Sequence, residues 1–146
     1  MAKFTISANI AEEVYKAIKD VKQYDEQTQL KIKNAIRAGT RDVMVSAISR
    51  APYKTGKLKI SIGMSFSDRY GAQGIVVAKS PHAKFVEYGV QSAVVIPVRE
   101  KAMKPGNEGW YIGKAIIPAR PAHPFMRPAM EEVRPKIENA IKDVLK

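Results

Sequence analysis

An α+β fold follows from three features of the sequence. Apolar residues recur at helical spacing near both ends of the chain, they alternate in its middle, and proline and glycine mark the changes between the two. The predicted order is N-terminal helices, an antiparallel sheet of about four strands, and a C-terminal helix packed on the sheet. A length of 146 residues and 45% apolar content fit one domain with a single core. Its parts are a helical region over 1–50, a sheet region over 51–120 and a last helix over 125–146.

Ser7 is placed to cap a first helix, with Glu12 and Glu13 near its positive end and Ile10, Val14, Ile18 and Val21 on one face. The polar stretch from Gln23 to Thr28 breaks or exposes it. Ile32, Ile36, Val43 and Ala47 then form the stripe of a longer helix ending near Arg50. Gly39 interrupts that stripe at a cost of about 1 kcal/mol against Ala, which marks close packing or a bend.

From Leu58 to Ser67, five apolar residues (Leu58, Ile60, Ile62, Met64, Phe66) alternate with polar or small ones, predicting a half-buried strand over the whole run. Pro52 and Gly56 separate it from the helix before it. A turn over 68–74 leads to an antiparallel partner, Ile75 to Ala78. A short helix at about 82–88 ends at Gly89. Ala93 to Ile96 reads as a third strand ended by Pro97, 99–109 as an exposed loop, and Trp110 to Ile117 as a fourth strand. Pro118, Pro121 and Pro124 stiffen the next stretch. Pro128 suits the first turn of a final helix with Val133, Ile137, Ile141 and Val144 on its apolar face. Pro135 lies within that helix and is expected to kink it or split off its first turn.

The net charge is +11, spread as +3, +4 and +4 over residues 1–50, 51–100 and 101–146. An even excess of this kind suits DNA, an acidic protein partner or no particular partner, and lacks the basic arm of many nucleic-acid binders. The chain has no cysteine, so disulfides and thiolate metal sites are excluded. No apolar run approaches the ~20 residues of a membrane span, and the N-terminus lacks the apolar core of a secretory signal.

Chemistry is sparse. The two histidines, His82 and His123, sit beside prolines without clustered carboxylates, so loop histidines are favoured over an acid–base or metal site. No phosphate-cradling glycine loop or nucleophile elbow is present, and no enzyme, cofactor or metal site is expected. Glu87 is read as a carboxylate that caps or ion-pairs near its own turn. Lys54, Lys57 and Lys59, at the start of the predicted strand, could touch DNA phosphates or protect a sheet edge. Phe85, Tyr88, Trp110, Tyr111 and Phe125 are read as core or interface anchors rather than base-stacking platforms.

Three ordered segments carry a resemblance. Ala51-Pro52 with Thr55-Gly56-Lys57-Leu58 and Ser61, then His82 to Gly89 including Phe85 and Glu87, then Pro121 to Ala129 including Pro124, Phe125, Arg127 and Pro128, follow a family pattern in order. The chain thereby resembles the siphophage and prophage tail-component family named for gene product ten of a lambdoid coliphage. His82 stands where that family commonly has Tyr, and Val90 where it often has Thr. The resemblance implies a non-enzymatic virion protein, assembled in the bacterial host cytoplasm. Its implied place is the head–tail junction, as a neck or tail-completion component, with other neck and tail proteins as partners. It also implies a homo-oligomeric ring around the DNA passage, with non-specific DNA contact in the lumen, even where the isolated chain is monomeric. The motif residues would then serve structure or interfaces. A monomeric basic nucleic-acid-binding protein is the competing reading, and an unrecognised hydrolase stands far behind it.

Overall fold

In the computed structural model, the described residues are 25–67, 72–96, 102–103, 111–112 and 114–146. The expected first helix, its Ser7 cap and Trp110 lie outside them. The long helix α1 spans Glu26–Arg50. Asp25 caps it, one carboxylate oxygen accepting from the Thr28 backbone N–H (3.1 Å) and the other from the Thr28 hydroxyl (2.6 Å). The predicted stripe is its buried face, formed by Ile32, Ile36, Gly39, Thr40, Val43 and Ala47.

α1 lies between two partners. On one flank runs the C-terminal helix, which spans Met126–Leu145 and is named α4 below, since two short helices precede it in the chain. A methyl group on Gly39 would overlap the Ile137 side chain of α4. Gly39 therefore marks close helix–helix approach, the first of its two expected roles. On the other flank lies a hairpin of β1 (Ile62–Ser67) and β2 (Gln73–Ala78), antiparallel with Ile62 opposite Ala78 and Ser67 opposite Gln73. A methyl group on Gly74 would overlap Thr40, whose hydroxyl donates to the Ile36 carbonyl (2.6 Å) within α1. Two consecutive residues of α1, Gly39 and Thr40, thus face opposite partners. The core gathers between them from Ile36 and Val43 of α1, Ile62 and Val76 of the hairpin, and Phe125, Val133 and Ile141 of the C-terminal segment. The last helix packs chiefly on α1, not on the sheet as expected.

The run predicted as one strand from Leu58 is two elements. Gly56 takes a left-handed conformation (φ 74°), and Lys57–Ser61 form a helical turn, α2, before β1 begins. The Ile60 N–H donates to the Gly56 carbonyl (3.1 Å), and the Ser61 hydroxyl to that of Leu58 (2.7 Å). Residues two apart in a helical turn point to nearly opposite sides. Leu58 accordingly packs against the core while Ile60 is 86% exposed. Arg37 of α1 sits over the Phe66 ring at the far end of β1, 5.9 Å from its centre.

The remaining strands do not extend this hairpin into a four-stranded sheet. Helix α3 (Ala83–Tyr88) ends at Gly89 as expected, and β3 (Ala93–Val95) follows it. Within the predicted loop, β4 (Ala102–Met103) pairs with β5 (Tyr111–Ile112), while β6 (Ala115–Ile117) pairs with β3. The expected fourth strand is therefore divided between two partners, and the described residues form three two-stranded ladders. α4 continues through Pro135 as one helix, its first turn intact. Pro128 lies in that first turn, as predicted.

Candidate assembly interface

The C-terminal helix begins without a cap of its own. No acidic residue lies in its first turn, and Phe125, at the cap position, offers no acceptor side chain. The first N–H groups of a helix need partners, and Glu87 supplies them from 38 residues away. One of its carboxylate oxygens accepts from the backbone of Phe125 (2.8 Å) and Met126 (3.0 Å), the other from that of Arg127 (2.9 Å). Glu87 is 4% exposed, and its negative charge faces the positive end of the α4 dipole. It is a cap, as the sequence suggests, but of a distant helix instead of its own turn.

Around Glu87 the two chain segments are stapled by their backbones. The His123 N–H donates to the Val86 carbonyl (2.8 Å), and Val90 and Arg120 exchange both hydrogen bonds (2.9 and 2.8 Å). Gly89 has φ 73° and ψ −177°, a region essentially reserved for glycine. A Cβ there would lie 2.8 Å from the Arg120 carbonyl oxygen and 2.9 Å from the Ala122 nitrogen, backbone atoms that cannot turn aside. Phe125, fully buried, seals this junction against the core.

From this base the chain runs out into the β3–β6 ribbon, whose strands pack mainly on each other. Val94 and Ile116 are directly paired across it. Both face solvent, at 57% and 68% exposure, and Ile96, just past β3, is 64% exposed. Two-stranded ribbons are marginal in water by themselves, and contiguous exposed apolar side chains mark interaction surfaces. This ribbon, tied at its base by the Val90–Arg120 and His123–Val86 hydrogen bonds, is the candidate contact site. The sequence does not reveal it, because a short β-branched run reads equally well as a buried strand.

The other candidate residues scatter. Pro52 and Thr55 are exposed and, with Gly56 and the partly buried Leu58, turn the chain from α1 into β1. Phe85 and Tyr88 are 54% and 64% exposed, so the core-anchor role falls to Phe125 alone among the described aromatic side chains of that set. The Trp110 and Tyr111 side chains lie outside the described residues. Pro124 is exposed, and Arg127 pairs on the surface with Glu131 (3.0 Å). His82 and His123 are exposed, and among the described residues no group of three or more His, Asp or Glu could hold a metal ion. Lys54 and Lys57 are exposed and Lys59 is half-buried. A cleft of about 410 Å³ between α1 and α4 includes Arg41, Ser46, Arg50, Glu132 and Lys136 in its lining. There the Ser46 hydroxyl (2.6 Å) and then the Arg50 guanidinium (3.0 Å) hold the Glu132 carboxyl below its usual pKa.

A family model described as "Bacteriophage HK97-gp10, putative tail-component" matches residues 12–89, just over half of the chain. The chain belongs to this family. The HK97-gp10-like match contains the first two motif segments, including Gly56, Glu87 and Gly89, and stops before the third. The Glu87 hydrogen bonds connect the matched region to that third segment physically. HK97-gp10-like proteins are phage tail components, generally structural. No curated protein and no solved structure matches the chain. Among the described residues, no helix is long and apolar enough to cross a membrane.

Proposed function

We propose that this HK97-gp10-like protein is a non-enzymatic structural component of the head–tail junction, a neck or tail-completion subunit that assembles into a ring around the DNA passage. One observation carries the reading: the exposed Val94–Ile116 face of a ribbon that is fixed at its base by Glu87, Gly89 and the Val90–Arg120 bridge. A rigidly mounted apolar projection suits head-to-tail contact between like subunits, or contact with a neighbouring tail protein, and head-to-tail contacts close into rings when the rotation permits. The motif residues keep structural roles in this reading, Gly56 and Leu58 in the turn into β1, Glu87, Gly89 and Phe125 in the ribbon base. The protein works as one domain, is made in the host cytoplasm and resides in the virion.

Negative-stain microscopy of particles produced without this gene tests the placement. DNA-filled heads lying apart from finished tails are the expected outcome for a junction protein. Filled heads with absent or irregular tails would shift it toward tail completion. Normal infectious virions would contradict the reading.

A further inference from the structure

The described residues distribute charge unequally. All four of their ion pairs use carboxylates of α4, namely Glu131, Glu132, Glu138 and Asp143. Between Val43 and Met130 the only acidic side chain among the described residues is Glu87, and it is buried against backbone N–H groups. Within that span Arg50 and Arg127 pair with Glu132 and Glu131, whereas the described lysines take part in none of these ion pairs.

One end of the β1–β2 hairpin concentrates them. Lys54 precedes the helical turn that carries Lys57 and Lys59. The Lys79 backbone N–H donates to the Ser61 carbonyl (3.0 Å), which brings a fourth lysine, distant in sequence, to the same turn. Lys54, Lys57 and Lys79 are exposed, and none of the four takes part in the ion pairs above. Tyr53, 76% exposed, lies beside them with its ring 3.2 Å from where a Gly56 Cβ would stand. Lysines are flexible point charges without the fixed fork that selects one carboxylate geometry. Such a group suits a partner with continuous, interchangeable negative charge, which is what a DNA backbone offers.

From this we infer that Lys54, Lys57, Lys59 and Lys79 form a sequence-independent contact surface for the DNA phosphate backbone. The assignment deepens the proposed function but is tested without it, since binding by the purified chain is independent of where the protein sits in a virion.

The test is fluorescence anisotropy of the full chain with a short labelled duplex of mixed sequence, titrated at salt from about 50 to 200 mM. Replacing all four lysines by Gln should lower the slope of log affinity against log salt by about one for each lysine. Affinity at the low-salt end should fall at least tenfold. A variant of equal charge, Lys31→Gln with Lys136→Gln, Lys142→Gln and Lys146→Gln, should retain most of the slope. Because Lys59 is half-buried, the triple variant Lys54→Gln, Lys57→Gln, Lys79→Gln guards against misfolding and should show about three-quarters of the slope change. Equal losses in both sets would reduce the effect to net charge and overturn the assignment. Absence of binding by the unaltered protein would overturn it too, leaving an acidic protein as the partner for this surface.

Discussion

The interior around α1 and the β3–β6 ribbon are made from the same kinds of residue and use them in opposite ways. In the interior, valines and isoleucines vanish from solvent because α1 has a partner on each flank, with Gly39 and Gly74 removing the side chains that would hold those partners away. In the ribbon, Val94, Ile96 and Ile116 stay in water although the backbone pairing is complete across β3 and β6. Pairing alone does not bury a side chain; a second layer must cover it. The ribbon lacks the second layer that the interior has, and the proposed function assigns its open face to assembly. Glu87 stands where the two regions meet, since it fixes α4 to the interior and the root of the ribbon to α4.

The strongest blow to this division is a change at that meeting point. Glu87→Ala leaves two buried backbone donors and one part-buried donor unmet, and urea denaturation should show a loss of about 3–5 kcal/mol, with Glu87→Gln losing less because one oxygen still accepts. A loss under about 1 kcal/mol would separate the ribbon base from the stability of the interior. Gly89→Ala should follow at about 2–3 kcal/mol, from positive-φ strain and the approach to Arg120 and Ala122.

Within the interior, Gly74→Ala should cost about 1–3 kcal/mol by overpacking against Thr40. Gly39→Ala should cost less, since a gain of about 1 kcal/mol in helix propensity offsets part of its clash with Ile137. A double-mutant cycle with Ile137→Ala sharpens this, because the Gly39→Ala penalty should shrink or reverse once the Ile137 branches are gone.

The smallest effect lies in the surface cleft. The Glu132 pKa is lowered in the folded state, so its stabilising share is fully present above the ordinary glutamate pKa and disappears as pH falls through the lowered one. Ser46→Ala should move the Glu132 titration, followed by NMR, upward toward the usual value. An unchanged titration would assign the shift to Arg50 instead.

How much of this is legible in the sequence depends on whether neighbours or distant segments decide it. The α1 stripe, the hairpin partner, the α3 stop at Gly89 and the start of α4 are local patterns, and they appear in the structure at the expected places. Alternation misleads at Leu58 and Ile60, because five residues of correct polarity cannot tell a strand from a helical turn joined to one once Gly56 resets the backbone. The four-stranded sheet fails for a related reason. Strand-forming sequence specifies extension, while which strands pair depends on contacts between β3 and β6 or β4 and β5. Glu87 is visible as a capping carboxylate, but its target lies 38 residues on, beyond any local pattern. Lys79 reaches the other lysines only through hairpin register.

Whether the ribbon serves assembly while the interior holds the fold is decided by replacing Val94, Ile96 and Ile116 together with Ser. The purified variant should keep its thermal midpoint to within the small effect of solvent-facing substitutions, about 0.5 kcal/mol per site or less. Supplied to a phage lacking the gene, it should fail to restore infectivity, with heads and tails left unjoined. Full infectivity with a normally folded variant would contradict the claim.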